Sequence, residues 1–240
     1  MENRKQALSL PNVDIFPSSS VPAEEYLLVV GGRAPTIEWL RDASKGRTVC
    51  CADRGADVCL AAGIVPSLFV GDCDSVGEDA KRWLERAGVL TRFYPEEKDK
   101  TDTQIALDSI LEDKKKTIIL TGCFGGRFDH ALITLYSFIG ANVIGCLADE
   151  KELIFILRGS DEVAVRFTRT PEVISLLPLS DCCENVSIGG VHWPLSNARI
   201  YKYEPYTVSN RLESRSNSFS VGVGKGILAV YVCFEKLDAK

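Results

Sequence analysis

Closely spaced carboxylates are the first feature of this sequence that can do chemistry. Asp72 and Asp74 stand two apart in Gly71-Asp72-Cys73-Asp74-Ser75. In a loop, both side chains can turn toward one hard cation. Mg²⁺ is such a cation: it prefers oxygen ligands, commonly takes one or two carboxylates, and leaves places for phosphate and water. Asp99-Lys100-Thr101-Asp102 is a second acidic group. Together the two groups supply enough carboxylates for one or two Mg²⁺ ions, with their charge neutralised once metal and polyphosphate are bound. Gly125-Gly126-Arg127-Phe128-Asp129-His130 is a third element. Its glycines let backbone N–H groups approach phosphate oxygens. Arg127 can grip a phosphate through two parallel hydrogen bonds and offset developing charge. Gly31-Gly32-Arg33 is a weaker phosphate candidate, because it matches neither the dinucleotide fingerprint nor the P-loop.

Each feature also has a purely structural reading. Asp72 and Asp74 can be solvated acids before a helix. Asp102 and Asp129 can be partners of a helix dipole or caps. Gly31-Gly32 can be a generic turn. His130 and His192 are the two histidines, and both read as structural or peripheral.

These groups need elements to position them. Tyr26-Leu27-Leu28-Val29-Val30 is a short apolar run, the mark of a strand buried on both faces. Similar runs predict strands over 48–52, 68–70, 89–94, 117–120 and 143–147. Helical segments fall between them. Pro35 suits the first turn of one, and another closes at Gly63. Ala80, Trp83, Leu84 and Ala87 follow an amphipathic period. Thr101-x-x-Gln104 has the capping-box form at the start of a helix over 101–111, and a further helix runs from about 129 to 139. Alternating strands and helices predict a Rossmann-like parallel sheet over 26–149, and ligands collect at the carboxyl ends of such strands. Beyond Lys151 the pattern changes to short strands separated by Gly, Pro, Asn and Ser, which predicts an all-β sandwich over 150–240. Residues 1–25, with Pro11, Pro17 and Pro22, read as a flexible or loosely packed extension.

Bulk composition excludes several classes. The chain has 240 residues, 45% hydrophobic and 25% charged, so a sizeable core needs no metal or disulfide staple. A net charge of −5 without a basic stripe argues against a nucleic-acid surface. No stretch reaches the roughly 18 to 20 apolar residues of a membrane span. The nine cysteines show no metal-ligand spacing and read as small core residues in a reducing compartment, with the cytosol as expected location.

Taken in order, these pieces resemble the thiamine pyrophosphokinase family. The family's Ala-Asp-Gly-Gly-Ala-Asn element corresponds to Ala52-Asp53-Arg54-Gly55-Ala56-Asp57. Its Gly-Asp-x-Asp-Ser, Asp-x-Thr-Asp and Gly-Arg-Phe-Asp elements stand intact at 71–75, 99–102 and 126–129. Gly190-Val191-His192-Trp193-Pro194-Leu195 and the pair Ser209-Asn210 follow. The resemblance implies an α/β catalytic domain followed by a β-sandwich, and a homodimer with active sites between subunits. It implies transfer of the β,γ-diphosphate of ATP to the hydroxyl of thiamine, giving thiamine diphosphate and AMP. By similarity, Asp72, Asp74 and Asp102, with Asp99 nearby, would hold Mg²⁺. Asp53 and Arg127 would contact nucleotide or phosphate; Gly31 is a cofactor-contact candidate on its own loop only. Thr101 and Asp129 would lie near the transferred group, and Ser209 and Asn210 would line the thiamine site. Arg54 replaces a family glycine, Cys73 stands where an aromatic residue is common, and 226–231 lacks the tryptophan that some relatives carry in their last strand. Two alternatives are a haloacid-dehalogenase-like phosphatase with Asp72 as nucleophile, and a non-catalytic thiamine or nucleotide sensor. The same short acidic pattern is shared by metal-binding glycosyltransferases.

Overall fold

The structure, a computed structural model, describes residues 7–72, 76–94, 99–112, 115–204 and 206–235. It divides into an α/β unit, Pro22–Asp149, and a β unit formed by Met1–Val21 with Glu150–Lys240. The first two strands, β1 (Leu8–Leu10) and β2 (Val13–Pro17), belong to the β unit.

The α/β unit alternates strands and helices. In order it contains β3 (Glu25–Val29), α1 (Ile37–Ser44), β4 (Thr48–Ala52), α2 (Gly55–Ala62), β5 (Leu68–Gly71) and α3 (Glu78–Arg86). It continues with β6 (Leu90–Phe93), α4 (Asp102–Leu111), β7 (Thr117–Thr121), α5 (Phe128–Gly140) and β8 (Ile144–Ala148). Strands pair in parallel in the order β8-β7-β3-β4-β5-β6. Leu27, Leu28 and Val29 on β3 are wholly buried, as a central strand covered on both faces must be. The chain winds outward from β3 through β4, β5 and β6. It then returns to the other side of β3 as β7, so the winding reverses between β3 and β7.

Local signals explain where the helices start. The Thr36 side chain caps α1 by accepting the Trp39 N–H at 3.3 Å. Pro35 therefore lies just before the cap rather than in the first turn. Thr101 and Gln104 form the expected capping box of α4. α3 buries Ala80 and Leu84 and leaves its charged face to water. Arg54, in place of the family's glycine, has an ordinary right-handed backbone at φ −59° and needs no glycine. Gly55 does need to be glycine: a Cβ there would sit 2.1 Å from the Val29 carbonyl oxygen, where α2 crosses the end of β3.

The β unit contains β9 (Glu152–Arg158), β10 (Glu162–Phe167), β11 (Val173–Pro178), β12 (Cys182–Gly189), β13 (Leu195–Tyr201), β14 (Ser218–Gly222) and β15 (Ile227–Cys233). One antiparallel sheet runs β1-β2-β10-β14-β12-β13, and β15 pairs antiparallel with both β11 and β9. In β10, Val163, Val165 and Phe167 are buried while the residues between them are exposed, the period of a strand with one wet face. Phe167 stacks on Phe219 and meets Phe234 edge-on, with ring centroids 5.8 and 5.9 Å apart.

Residues 8–17 correct the reading of a loose N-terminal extension. Leu8 and Leu10, then Val13 and Ile15, are buried two by two across a turn. β2 then pairs with β10, Ile15 opposite Val165. Alternation over three to five residues is too short to stand out beside three prolines, and the partner strand lies about 150 residues later in the chain.

Seven of the eight described cysteines are buried, and Cys182 is partly exposed. Burial pushes the Cys50 and Cys146 thiols up to about 12, so they pack as small apolar groups. Among the described residues, no helix is long and apolar enough to cross a membrane.

The close approach at Gly55 gives a stability prediction. Gly55→Ala should destabilise the protein by about 1–3 kcal/mol, the range for inserting a carbon where there is no room. Urea unfolding checks it, and an unchanged midpoint would contradict the close packing of α2 on β3.

Candidate active site

The carboxyl edge of the parallel sheet carries a cavity of ≈ 430 Å³. Asp53 follows β4 and Asp72 follows β5. Asp99 to Thr103 lead into α4, and Asp129, His130, Ile133 and Thr134 lie on the first turns of α5. The sheet thus gathers residues that are up to 81 positions apart in sequence, Asp53 and Thr134. Asp74 lies outside the described residues.

Each side chain is placed by its element. Asp53 adopts a left-handed backbone, φ 48°, and its N–H donates to the Val70 carbonyl at 3.1 Å. That bond ties the Asp53 turn to the strand that carries Asp72. Asp57 accepts the Gly77 N–H at 3.2 Å and so anchors the far end of the loop that leaves β5. The capping box of Thr101 and Gln104 fixes the entry to α4 and with it Asp102. Lys100, Thr103, Ile133 and Thr134 line the cavity without having been picked out as site residues by sequence reasoning. His130, read as structural or peripheral, lines the cavity.

Arg127 and Asp129 form a pair at the mouth of α5. The Arg127 guanidinium donates through Nε to Asp129 Oδ1 at 3.1 Å and through Nη2 to Oδ2. The Asp129 Oδ1 also accepts the His130 N–H at 2.9 Å. The Arg127 hydrogen bond holds the Asp129 carboxyl below the usual carboxylate range, with the His130 N–H assisting. The same pair holds Arg127 more firmly protonated. Lys100, also on the cavity wall, is kept protonated by Asp108 at 2.7 Å.

The Gly31 loop does not join this cavity. The N–H groups of Gly32 and Arg33 donate to the carbonyls of Gly122 and Phe124 at 2.6 and 2.7 Å. Arg33 reaches the wholly buried Asp149 carboxylate through Nε at 3.1 Å and lies over the Phe124 ring. The loop's donors are therefore used to brace the Gly122–Arg127 segment, and Gly31 is not among the cavity's lining residues.

The donor set suits a hard cation. The lining acids offer only carboxylate oxygens, with threonine hydroxyls beside them and no sulfur. No three acids among the described residues are close enough to enclose an ion by themselves. Asp72, Asp99 and Asp102 all line the cavity, so the donor types present suit Mg²⁺ with phosphate and water completing its shell. The N-termini of α4 and α5 both open here and favour anions.

Ser209 and Asn210 are in a second cavity, also ≈ 430 Å³, within the β unit. Ser209 has φ 62° and donates its N–H to the Ser175 hydroxyl at 3.0 Å. The Asn210 amide oxygen accepts the N–H groups of Trp193 and Arg211 at 3.1 and 2.9 Å. Its amide nitrogen donates to the Trp193 carbonyl at 2.8 Å.

Parallel sheets that gather carboxylates and helix N-termini at one edge are the architecture of α/β proteins that handle phosphate with a hard cation. Comparison with known proteins narrows that class. Residues 41–144 match the family described as thiamin pyrophosphokinase, catalytic domain, and residues 162–228 match thiamin pyrophosphokinase, vitamin B1 binding domain. The chain is 33% identical over 179 residues to a thiamine pyrophosphokinase of Bacillus subtilis, covering 73% of this chain and 82% of that protein. A crystal structure of the Bacillus subtilis protein is similar with a TM-score of 0.78 and 26% identity, over 89% of this chain and 100% of the other. The thiamin pyrophosphokinase of Geobacillus thermodenitrificans gives 0.75 and 26%, over 88% and 98%. This chain belongs to the thiamine pyrophosphokinase family.

The Arg127–Asp129 pair is open to direct measurement. In Arg127→Ala the Asp129 carboxyl should titrate at higher pH than in the unmodified protein, moving back toward the ordinary carboxylate range. Carbon-detected NMR of the aspartate carboxyls reads the shift, and an unmoved Asp129 would contradict the pairing.

Proposed function

We propose that this chain transfers the β,γ-diphosphate of ATP to the hydroxyl of thiamine, releasing thiamine diphosphate and AMP. The observation that carries this reading is the single cavity joining Asp72, the Asp99–Asp102 turn and Asp129, in a chain of this family.

We read the α/β unit as a Rossmann-like, ATP-binding catalytic domain, because its winding reverses beside β3 and its acids sit at the carboxyl edge. The β unit is read as a sandwich that binds thiamine through the cavity at Ser209 and Asn210. A homodimer is part of the same proposal.

Asp72, Asp74 and Asp102, with Asp99 beside them, are assigned to Mg²⁺. When bound, the ion neutralises the polyphosphate charge and draws electrons from the attacked phosphorus. The N–H groups at the starts of α4 and α5 orient the phosphates. Asp53 and Arg127 contact the nucleotide or its phosphates, and Arg127 offsets charge as the transition state forms. Thr101 and Asp129 flank the transferred group. The thiamine hydroxyl oxygen bonds to the β-phosphorus. The bond from that phosphorus to the α–β bridging oxygen breaks, and its electron pair leaves with AMP. The hydroxyl proton must go to a nearby base. Asp102 and Asp129 are the two candidate carboxylates; Arg127 and the His130 N–H already stabilise the Asp129 charge, and Asp102 is shared with the Mg²⁺ assignment. Neither the phosphatase nor the non-catalytic reading gains support. Asp72 follows β5, the third strand of its unit, and the phosphatase class places its nucleophile after the first.

The test is an assay of purified protein with Mg²⁺, ATP and thiamine, following AMP and thiamine diphosphate. Asp72→Asn and Asp74→Asn should each lower turnover by about 10²-fold or more, as loss of transition-state charge stabilisation does. Their thermal unfolding should stay close to that of the unmodified protein. Normal AMP release from either variant would remove it from the metal site.

A further inference from the structure

The catalytic cavity holds one cation to which no role has yet fallen. Lys100 is its sole lining lysine or arginine among the described residues. Arg127 is not a lining residue, although its partner Asp129 is. The Lys100 ammonium reaches Asp108, in the second turn of α4, at 2.7 Å. Asp108 lies outside the lining. The pair therefore ties a cavity cation to an acid that the cavity does not contain.

Two features make that pair exchangeable. The Lys100 and Asp108 side chains are 62% and 56% exposed, and an ion pair so open to water is weak. Lys100 also stands directly before Thr101, the N-cap of α4, where the helix dipole disfavours a cation and favours an anion. A phosphate at that place serves both groups. It offers several charged oxygens to the ammonium, and it meets the N–H groups of the helix start.

Charge balance within the cavity points the same way. Asp53, Asp72, Asp99, Asp102 and Asp129 line it, and a dication offsets part of their charge. A polyphosphate that enters with the dication brings further negative charge. Two cations stand near enough to the acids to answer it. Arg127 is held at Asp129 by two hydrogen bonds, whereas Lys100 is held at Asp108 by one. The lysine stem is flexible and its ammonium binds phosphate as a point charge, so it can turn from one anion to another without matching a fixed geometry.

We infer that Lys100 is a binding residue for the polyphosphate of the nucleotide, and that Asp108 is a positioning residue that competes with phosphate for it. The inference rests on the nucleotide reading above.

Calorimetric titration with α,β-methylene-ATP in the presence of Mg²⁺ tests it. The bond that the reaction breaks is replaced in this nucleotide, so binding is read without turnover. Lys100→Gln should weaken binding about three- to tenfold, the scale of one lost hydrogen bond to a charged group. Asp108→Asn should tighten it about two- to fivefold, the scale of one exposed ion pair released. The double variant should bind like Lys100→Gln alone, because Asp108 acts only through Lys100. A general effect of surface charge would instead add in the double variant. The ATP KM should follow the same order while the thiamine KM stays in place, and thermal unfolding of all three variants should match the unmodified protein. Unchanged binding in Lys100→Gln would overturn the phosphate contact. Tightening by Asp108→Asn that persists in full beside Lys100→Gln would overturn the competition. Protein that shows the opposite shifts but makes no AMP would refute the transfer reaction while supporting Lys100. Protein that makes AMP while all three variants bind alike would keep the reaction and remove Lys100 from it.

Discussion

The α/β unit turns on how tightly backbone approaches backbone at the carboxyl end of β3. A Cβ on Gly55 would meet the Val29 oxygen at 2.1 Å, and one on Gly122 would meet the Val30 oxygen at the same distance. Two loops therefore press on the last residues of one strand from opposite sides. One leads to Asp53 and α2, the other to Arg127, Asp129 and α5. Since β3 is also where the winding reverses, the two loops diverge from a common point, and the cavity lies at the edge they share. The Arg33–Asp149 pair stiffens the same place by holding the Phe124 turn. An uncompensated carboxylate at a wholly buried position is costly, so Arg33 is not free to serve as a phosphate ligand.

On that edge the electrostatics are deliberately unbalanced. Asp53, Asp72, Asp99, Asp102 and Asp129 line one cavity with Lys100 as the sole lining lysine or arginine among the described residues, and Lys100 is already paired with Asp108. Like charges gathered in this way repel, and the arrangement is relieved when a dication enters with phosphate. Arg127 and Asp129 satisfy one another meanwhile. A ligand phosphate at the start of α5 would compete with Asp129 for the same guanidinium.

In the β unit, Trp193 and Tyr206 are left largely exposed. Trp193 lies in a bend between β12 and β13, where its indole is exposed and its backbone has no ladder of its own. Asn210 supplies the missing partners. The left-handed backbone at Ser209 and its bond to Ser175 turn the chain so that the Asn210 amide faces the bend. Strain at Ser209 is thus held in place by surrounding hydrogen bonds, as such conformations require.

The sequence by itself determined the elements of the α/β unit almost residue by residue. Buried parallel strands are continuous apolar runs, and the caps at Thr36 and Thr101 are local chemistry. It also pointed to Asp72, Asp99 and Asp102, in short turns after strands or before helices, and the three line one cavity. It failed where the signal was not local. β1 and β2 are strands only because β10 lies beside them, and β12 was not legible because Cys182–Gly189 is polar and bulged, with Asn185 at φ 53°. Gly31-Gly32-Arg33 was open to both a phosphate loop and a generic turn, and the Gly32 and Arg33 N–H groups are bonded to Gly122 and Phe124. Asn210 lines its cavity and also brackets the Trp193 peptide groups, which its residue type alone does not tell. Residue type and spacing state what a side chain is able to bond. Only the folded chain decides whether a protein group has already claimed that bond.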